Sequence, residues 1–266
     1  MERVSPEVYK KINNDVYKEA GDIWWKPDSV LHLLKTSVNP WRVGYAKRTL
    51  ERLNFDIKGK TALEVGSGGG ILTEEICKMG FTTTGIDPAE ESIHTAQNHA
   101  QTQGLSIEYL EGAGEKIPFP DQSFDVVFCC DVLEHVQDLP KVISEISRVL
   151  KPNGIFIYDT INRTFISKVV IIKIWQEWKQ WSFMPANLHV WKMFIKPDEI
   201  KYLLMKNGLD WKEHVGSKPN VSVPKMLKYL RKRKKGVWTF EDLGKNFWLV
   251  ENKDMKILYG GYAVKK

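Results

Sequence analysis

The chain has 266 residues, of which 42% are hydrophobic, and 39 lysines and arginines against 33 acids give it a net charge of +6. This length can bury one large core, or one core with a small appendage. No apolar run reaches the roughly eighteen residues of a membrane span, and the charged N-terminus has no apolar signal segment, so we expect a cytoplasmic protein. Three cysteines (Cys77, Cys129 and Cys130) in apolar segments predict reduced thiols.

The first part of the chain is rich in tryptophan. Trp24, Trp25 and Trp41 lie among charged residues. We predict that residues 1–55 form a helical cap over a ligand site. The remaining residues, 56–266, are predicted to form the main domain.

The most informative segment is a glycine turn between a strand and a helix. An apolar strand over residues 62–65 is followed by the glycine-rich residues 66–70, and a helix is predicted over 71–79. A second apolar strand over 81–86 ends at Asp87, about twenty residues after the turn begins. This order of elements is how a doubly wound sheet builds a nucleoside site.

The spacing of the glycines indicates which nucleoside binds. A dinucleotide fingerprint requires glycine where this chain has Ile71; here Glu64 precedes Gly66 and Gly68 in the pattern E-x-G-x-G-G-G. That pattern resembles motif I of the class I S-adenosylmethionine (SAM)-dependent methyltransferases. Asp87 can accept hydrogen bonds from two ribose hydroxyls, and Glu64 can orient the turn or the sulfonium end of SAM. A turn without a ligand and an atypical NAD site are the alternatives.

Strands and helices continue to alternate downstream. We predict a helix over 89–103, a strand over 107–110, a loop over 112–123, a strand over 124–130, a helix over 139–150, a turn over 151–154 and a strand over 155–160. This alternation predicts an α/β, Rossmann-like fold with a mostly parallel sheet, helices on both faces, and ligands at the carboxyl ends of the strands. The resemblance to class I methyltransferases implies seven strands.

An insertion over residues 162–191 follows the fifth predicted strand. It mixes aliphatic residues and lysines with Trp175, Trp178 and Trp181, a composition typical of helices at a lipid interface. Three alternatives remain open: a lid that also contacts a membrane through residues 165–183, a lid that does not, or ordinary core packing.

A basic run lies in the C-terminal third of the chain. Residues 225–235 hold seven cations and no acid. Such a run can contact nucleic acid or an anionic membrane surface. It can equally be a solvated helix face or loop.

Five further segments share their pattern with one family. They are residues 23–25, 39–45 (N-P-x-R-x-G-Y), 131–136, 160–164 (with T-x-N-R) and 188–195 (with H-x-W-x-x-F-I). Together with the glycine turn they resemble the O-methyltransferases of ubiquinone biosynthesis. The resemblance extends over about residues 20–215 and includes a β-rich C-terminal part.

The resemblance implies the contacts with SAM. Arg42 would clamp the methionine carboxylate with a bidentate geometry that lysine cannot match. The backbone of Gly66 would lie close to the same group, and Asp87 would hold the ribose. Cys130 would contribute backbone contacts, and Gly114 would line the adenine pocket.

The family transfers a methyl group to a catechol-type hydroxyl on a polyprenylated ring, which needs a general base or a divalent cation. Its metal-binding pattern E-x-x-E-H corresponds here to Asp131, Glu134 and His135, with the first acid one methylene shorter. These ligands would suit Mg²⁺ or Mn²⁺. Alternatively the segment starts a helix, and Glu134, His135 or His189 acts in proton transfer.

These observations predict a SAM-dependent O-methyltransferase that acts on a phenolic or catechol hydroxyl of a quinone precursor. The alternative is a soluble small-molecule O-, N- or C-methyltransferase of secondary metabolism. We expect a small-molecule partner and peripheral membrane contact through 165–183. Nucleic acid is the least favoured partner, because the chain shows no appended RNA-binding motif.

Overall fold

The computed structural model describes residues 4–266, with only the backbone of Lys18, so the first three residues of the predicted cap lie outside the described residues. Its centre is a sheet of eight strands. In chain order they are β1 (Thr61–Val65), β2 (Thr82–Asp87), β3 (Ile107–Glu111), β4 (Phe124–Cys130), β5 (Leu150–Ile161), β6 (Leu209–Pro219), β7 (Leu249–Asn252) and β8 (Leu258–Lys265).

Helices lie around this sheet. The α-helices are α1 (Pro6–Tyr9), α2 (Asp15–Lys18), α3 (Asn39–Arg52), α4 (Thr73–Lys78), α5 (Glu90–Thr102), α6 (Leu139–Val149), α7 (Phe165–Ser167), α8 (Pro197–Lys206), α9 (Val223–Lys234) and α10 (Phe240–Asn246). Gly21–Trp25 and Trp191–Met193 are 3-10 helices, and Leu34–Val38 and Lys168–Glu177 are π-helices.

The strand order is β3-β2-β1-β4-β5-β8-β6-β7. The first five strands in that order are parallel, and β8, β6 and β7 pair antiparallel. The predicted mostly parallel α/β fold is confirmed. The predicted count of seven strands is wrong by one, because the short β7 pairs with β6 and extends the edge of the sheet.

Strand β5 begins earlier than predicted. Leu150 pairs with Phe124 of β4, and the next pair joins Ile155 to Val126, so the four intervening residues of β5 bulge out of the ladder. Asn153 in that bulge has a φ of 62°, a conformation that asparagine tolerates better than most residues. The residues predicted to form a turn therefore form a bulge inside a longer strand.

The parallel strands are built from buried residues. All seven residues of β4 are buried, as predicted from its apolar run. Helix α6 buries Val142, Ile143 and Ile146 against this side of the sheet. Within residues 4–266, none of the helices has the length and apolar composition of a membrane span.

The topology brings four strand ends to one edge of the sheet. Because β1, β2, β4 and β5 are parallel neighbours, their carboxyl ends lie side by side. Tyr17 and the Gly21–Trp25 helix cover this edge from the N-terminal part, and the insertion over 162–191 covers it from another side. Gly66, Asp87, Asp131, Glu134 and His135 lie at or just after these strand ends.

Candidate active site

The glycine turn after β1 lies in close contact with the end of β4. Gly66 has a φ of 77°, and a Cβ added to it would lie 2.2 Å from Cγ2 of Val132. Both the backbone conformation and the lack of space exclude a side chain there. Only glycine therefore fits at this point of the turn, where the backbone passes next to the end of β4.

Asp87 is held at the end of β2 by the backbone. Its Oδ2 accepts a hydrogen bond from the N–H of Gly68 at 2.9 Å, and its Oδ1 accepts one from the N–H of Ala89 at 2.9 Å. The side chain is buried, and burial raises the pKa of Asp87 although both hydrogen bonds favour its charged form. A carboxylate has further lone pairs, so this one is oriented and can still accept from a ligand.

Two tryptophans cover the glycine turn. A Cβ added to Gly68 or Gly69 would lie 2.6 or 2.3 Å from the side chain of Trp24. The indole N–H of Trp24 donates to Oγ of Ser92 at 3.0 Å, and that of Trp25 donates to the carbonyl of Gly69 at 2.8 Å. The N-terminal segment thus packs directly against the predicted cofactor turn.

Glu64 is buried within β1 and accepts a hydrogen bond from Oγ1 of Thr73. Burial raises its pKa to about 8. The contact joins the strand before the turn to the helix after it. Of the two roles expected for Glu64, the geometry favours orienting the turn.

Arg42 lies between two carboxylates. Its Nε and Nη2 donate to the carboxylate of Asp159 at 2.6 and 2.9 Å, and Nη2 also lies 2.9 Å from Oδ2 of Asp131. Arg42 and Asp159 are 6% and 2% exposed, whereas the side chain of Asp131 is 28% exposed. The guanidinium is therefore fixed by a buried bidentate pair and shared with a more accessible acid.

Asp131 has a strained backbone at the end of β4. Its φ is 56°, and its N–H donates to Oδ1 of Asp159 at 3.1 Å. Burial disfavours the charged form, but Arg42 outweighs this effect and holds the pKa of Asp131 below its ordinary value. Asp131 is therefore an ionised carboxylate that faces the site from a constrained turn.

Glu134 is buried three residues further on. Its Oε2 accepts a hydrogen bond from Oγ1 of Thr160 at 2.8 Å, and among the described residues its Oε1 has no partner. Burial, and then repulsion from Asp131, raise the pKa of Glu134 to about 8. Near neutral pH this side chain is mainly protonated and can donate one hydrogen bond.

Two histidines from distant parts of the chain meet beside these acids. The ring centroids of His135 and His189 are 5.1 Å apart. Burial lowers the pKa of His135 to about 3, with a further effect of His189, and lowers that of His189 to about 4. Both imidazoles are therefore neutral near pH 7. Burial also makes each a weaker base than a free imidazole, and the charge of Asp131 partly offsets this effect.

Each histidine is held by a neighbouring amide side chain. The ring of His135 contacts Oδ1 of Asn14 through Nδ1 at 3.3 Å, and Tyr17 lies edge-on against it. The backbone of His189 is fixed by Gln176, which accepts from its N–H at 2.7 Å and donates to its carbonyl at 3.1 Å. Within the described part of the chain, Nδ1 of His189 has no hydrogen-bond partner.

The predicted metal centre does not fit this arrangement. Asp131 is ion-paired with Arg42, and Glu134 is bonded to Thr160 with a raised pKa. In residues 4–266 no group of three or more His, Cys, Asp or Glu side chains is disposed to hold a metal ion. Asp131, Glu134 and His135 thus stand close in the chain without forming a ligand set.

The two remaining predicted residues are buried near the strand ends. Gly114 is buried, and a Cβ on it would lie 3.2 Å from Val65 and 3.3 Å from Val142, so it packs the loop against the strand that precedes the glycine turn. Cys130 is buried at the end of β4, and burial raises the pKa of its thiol. Its thiol is therefore protonated near neutral pH, and its backbone leads into Asp131.

Several contacts that organise the site were missed at the sequence level. They are made by Asn14, Tyr17, Asp159, Thr160 and Gln176. One signal was available: Asp159 is an acid inside an apolar run that ends a strand, like Asp87 and Asp131. Thr160 follows it in the segment 160–164, which the family pattern already marked, whereas Asn14, Tyr17 and Gln176 carry no signal of their own.

The chain is similar to known methyltransferases. Residues 63–158 match the methyltransferase domain family. The ubiquinone biosynthesis O-methyltransferase of Azorhizobium caulinodans is 33% identical over 203 residues, covering 74% of this chain and 79% of the relative. The protein of the same name from Bartonella bacilliformis is 34% identical over 200 residues, covering 73% and 79%.

Solved structures share the fold. A SAM-dependent methyltransferase from Aquifex aeolicus superposes with a TM-score of 0.56 at 18% identity, covering 91% of this chain and all of that structure (100%). The YcgJ protein of Bacillus subtilis gives a TM-score of 0.59 at 19% identity, covering 85% and 98%. At these identities the likeness establishes the fold alone.

Proposed function

Because the chain belongs to the ubiquinone biosynthesis O-methyltransferase family, we propose that it transfers the methyl group of SAM to a hydroxyl of a catechol-type quinone precursor. The observation that carries the proposal is the pair of neutral histidines, His135 and His189, beside the strand ends that hold the glycine turn and Asp87. These observations support the proposal because an imidazole nitrogen without a partner and the residues proposed for the cofactor lie near the same strand ends.

The residues present fit SAM. Asp87 is a buried, oriented acid at a strand end and suits the ribose hydroxyls. Gly66 and Gly68 form the turn at these strand ends, Trp24 packs against Gly68, and Gly114 packs beside the same strand. We assign the adenosine and methionine parts to this turn. Arg42 is the cation available to the methionine carboxylate. When bound, SAM supplies an activated methyl group.

Arg42 can receive that carboxylate only by exchange. It already faces Asp131 and Asp159, and a third carboxylate on one guanidinium would be strongly disfavoured. Asp159 is buried and bidentate, whereas Asp131 is partly exposed and makes one contact. We therefore propose that the cofactor carboxylate displaces Asp131, while Asp159 keeps Arg42 in position.

The protein then has to align the acceptor and remove its proton. The hydroxyl oxygen forms a bond to the methyl carbon as the carbon–sulfur bond breaks, and the hydroxyl proton passes to an imidazole. A phenol with a pKa of about 10 needs such help near pH 7. His189 is the preferred acceptor because its Nδ1 has no partner among the described residues, whereas Nδ1 of His135 lies against Asn14.

The insertion over residues 162–191 also has features that suit contact with a membrane. Phe165 and Trp178, at the two ends of the insertion's helical part, are 77% and 54% exposed. Such apolar side chains, with lysines between them, suit a lipid interface. We propose that residues 165–183 touch the bilayer in which a polyprenylated acceptor resides.

The experiment that tests the proposal measures methyl transfer from labelled SAM to a catechol with a short prenyl chain. It compares the parent with His189→Ala and His135→Ala, and uses His94→Ala, whose ring is 61% exposed, as a matched control. Turnover should be lost in His189→Ala and preserved in His94→Ala. Each assay is run with Mg²⁺ and with EDTA. Turnover that EDTA abolishes would contradict proton removal by a side chain alone and would support a metal.

A further inference from the structure

Helix α9 is the most positively charged element of the chain. It contains Lys225, Lys228, Arg231, Lys232, Arg233 and Lys234, Lys235 follows it directly, and none of the helix residues is buried. Acidic residues are absent from the helix. Among the described residues its only ion pair to an acid joins Arg233 to Asp28 at 2.8 Å. Most of its charge is therefore not neutralised by the protein.

The cations of α9 divide between two faces. Lys225, Lys228, Lys232 and Lys235 follow one another at intervals of three or four residues, so they form one stripe along the helix. Lys225, Lys228 and Lys235 are exposed, as is the adjacent Arg231. This stripe, which we call the cationic face, is exposed except at the half-buried Lys232.

The opposite face of α9 docks on the insertion. Leu230, Arg233 and Lys234 line a cavity of about 260 Å³ together with Trp181, Ser182, Phe183 and Phe240. Nζ of Lys234 donates to the carbonyl of Lys179 at 3.2 Å, and also to that of Gln180. The helix is therefore fixed to the same insertion that carries His189 and the exposed Trp178.

Apolar side chains flank the cationic face. Val223 at the start of α9 is 62% exposed, and Val237 just after it is 65% exposed. The two aromatic residues of the helix region are half-buried and pack against each other, with Lys225 over Tyr229 and Lys232 over Trp238. Positive charge between exposed aliphatic residues suits a lipid surface, whereas single-stranded nucleic acid is bound with exposed aromatic rings.

From this arrangement we infer that the cationic face of α9 docks the protein on an anionic membrane surface. The inference deepens the proposed function and rests on it for its purpose, since a polyprenylated acceptor is delivered from a bilayer. The negative potential of an anionic surface attracts the lysines. The aliphatic side chains at both ends of α9 insert into the interface. The contacts of Lys234 would then hold the insertion, and His189 with it, next to the bilayer.

The test uses the full chain and co-sedimentation with vesicles of phosphatidylcholine alone or with phosphatidylglycerol. The variant carries Lys225→Gln, Lys228→Gln and Lys235→Gln, because glutamine has nearly the helix propensity of lysine. The matched control carries Lys47→Gln, Lys58→Gln and Lys206→Gln, three exposed lysines on other elements. Equal melting temperatures verify that both remain folded.

Binding to the anionic vesicles should fall about a hundredfold at low salt in the α9 variant, because each lysine near such a surface contributes roughly a factor of five. The control should bind like the parent. Equal sedimentation of the α9 variant and the parent would overturn the inference. So would binding of a labelled RNA oligonucleotide that the variant loses while vesicle binding is absent.

The two proposals fail separately. The α9 variant should turn over the soluble short-chain catechol at the parental rate, because the substituted residues lie outside the site. If the parent binds vesicles but methylates no catechol, the proposed function fails and the docking surface stands. If it methylates catechol but ignores anionic vesicles, the docking surface fails alone.

Discussion

The two halves of the site are held together by different kinds of contacts. In the cofactor half, Asp87 and the glycine turn are bound to each other and to neighbouring backbone over short stretches of sequence. In the acceptor half, His135, His189 and Glu134 are positioned by side chains from Asn14, Gln176 and Thr160. The two halves therefore differ in how far apart in the chain their contacting residues lie.

This difference has a functional consequence. A half made of adjacent backbone keeps its shape when covers move, whereas a half assembled from two covers exists only when both are in place. Arg42 joins the two, because it contacts Asp131 on one side and is the candidate partner of the cofactor on the other.

The largest expected effect is on the acceptor half. His189→Ala should lower kcat about 10²- to 10⁴-fold, the usual worth of a general base. Its affinity for SAM, measured by titration calorimetry, should stay at the parental value. A weaker affinity would show that the two halves are not separable in this way.

The next effect is on the cofactor half. Asp87→Ala should weaken SAM binding by roughly a hundredfold or more, because two charge-assisted hydrogen bonds to the ribose are lost. Asp56→Ala, at an exposed acid, is the control. Unchanged affinity in Asp87→Ala would mean that the cofactor is not held at the end of β2.

The connection between the two halves is made by Arg42, and a substitution of its partner Asp159 tests it. Asp159→Asn leaves the buried Arg42 without its bidentate partner and should cost about 3 kcal/mol of folding stability, read from denaturant unfolding. Asp210→Asn removes an exposed ion pair with Lys212 and should leave the unfolding midpoint unchanged. Equal midpoints for the two variants would contradict the positioning role of Asp159.

Asp131→Asn should have a smaller effect on SAM affinity, and it should strengthen binding where Asp87→Ala weakens it. If the cofactor carboxylate displaces Asp131 from Arg42, removing that competing charge should tighten SAM binding about fivefold, the worth of a partly exposed ion pair. Calorimetry on the parent and the variant measures it. Weaker binding would indicate that Asp131 contacts the cofactor instead of competing with it.

The last prediction is that kcat/KM does not change with pH between 7 and 5. Burial lowers the pKa of His189 to about 4, so its neutral form persists as the pH falls from 7 to 5. The kcat/KM profile should be flat over that range, since protonation removes the base only near pH 4. A decline centred near 6.5 would mean that the histidine titrates as if exposed.

The sequence predicted the cofactor half better than the acceptor half, for the same physical reason. Strand β4 matches its predicted bounds, and Asp87 lies where the strand–turn–helix spacing implied, because periodicity and glycine patterns are local signals. The approach of Asn14 to His135, 121 residues away, has no such signal. It depends on tertiary packing of a short N-terminal helix.

The limit of prediction from the sequence is clearest at Asp131, Glu134 and His135. Their spacing resembled a metal site, yet Arg42 and Thr160 engage the two acids from elements 89 and 26 residues distant. The ion pair could have been suspected from Asp159, the buried acid near the end of β5. The strained φ of Asp131, which aims its carboxylate at Arg42, could not.

The most direct test of the central claim is to locate the transferred methyl group. SAM with a ¹³C-labelled methyl is incubated with the prenylated catechol, and the product is examined by NMR and mass spectrometry. We expect a single label on one ring oxygen, and none when both hydroxyls are blocked beforehand. Label on carbon or nitrogen, or no transfer from a protein that binds SAM, would contradict O-methylation of a catechol.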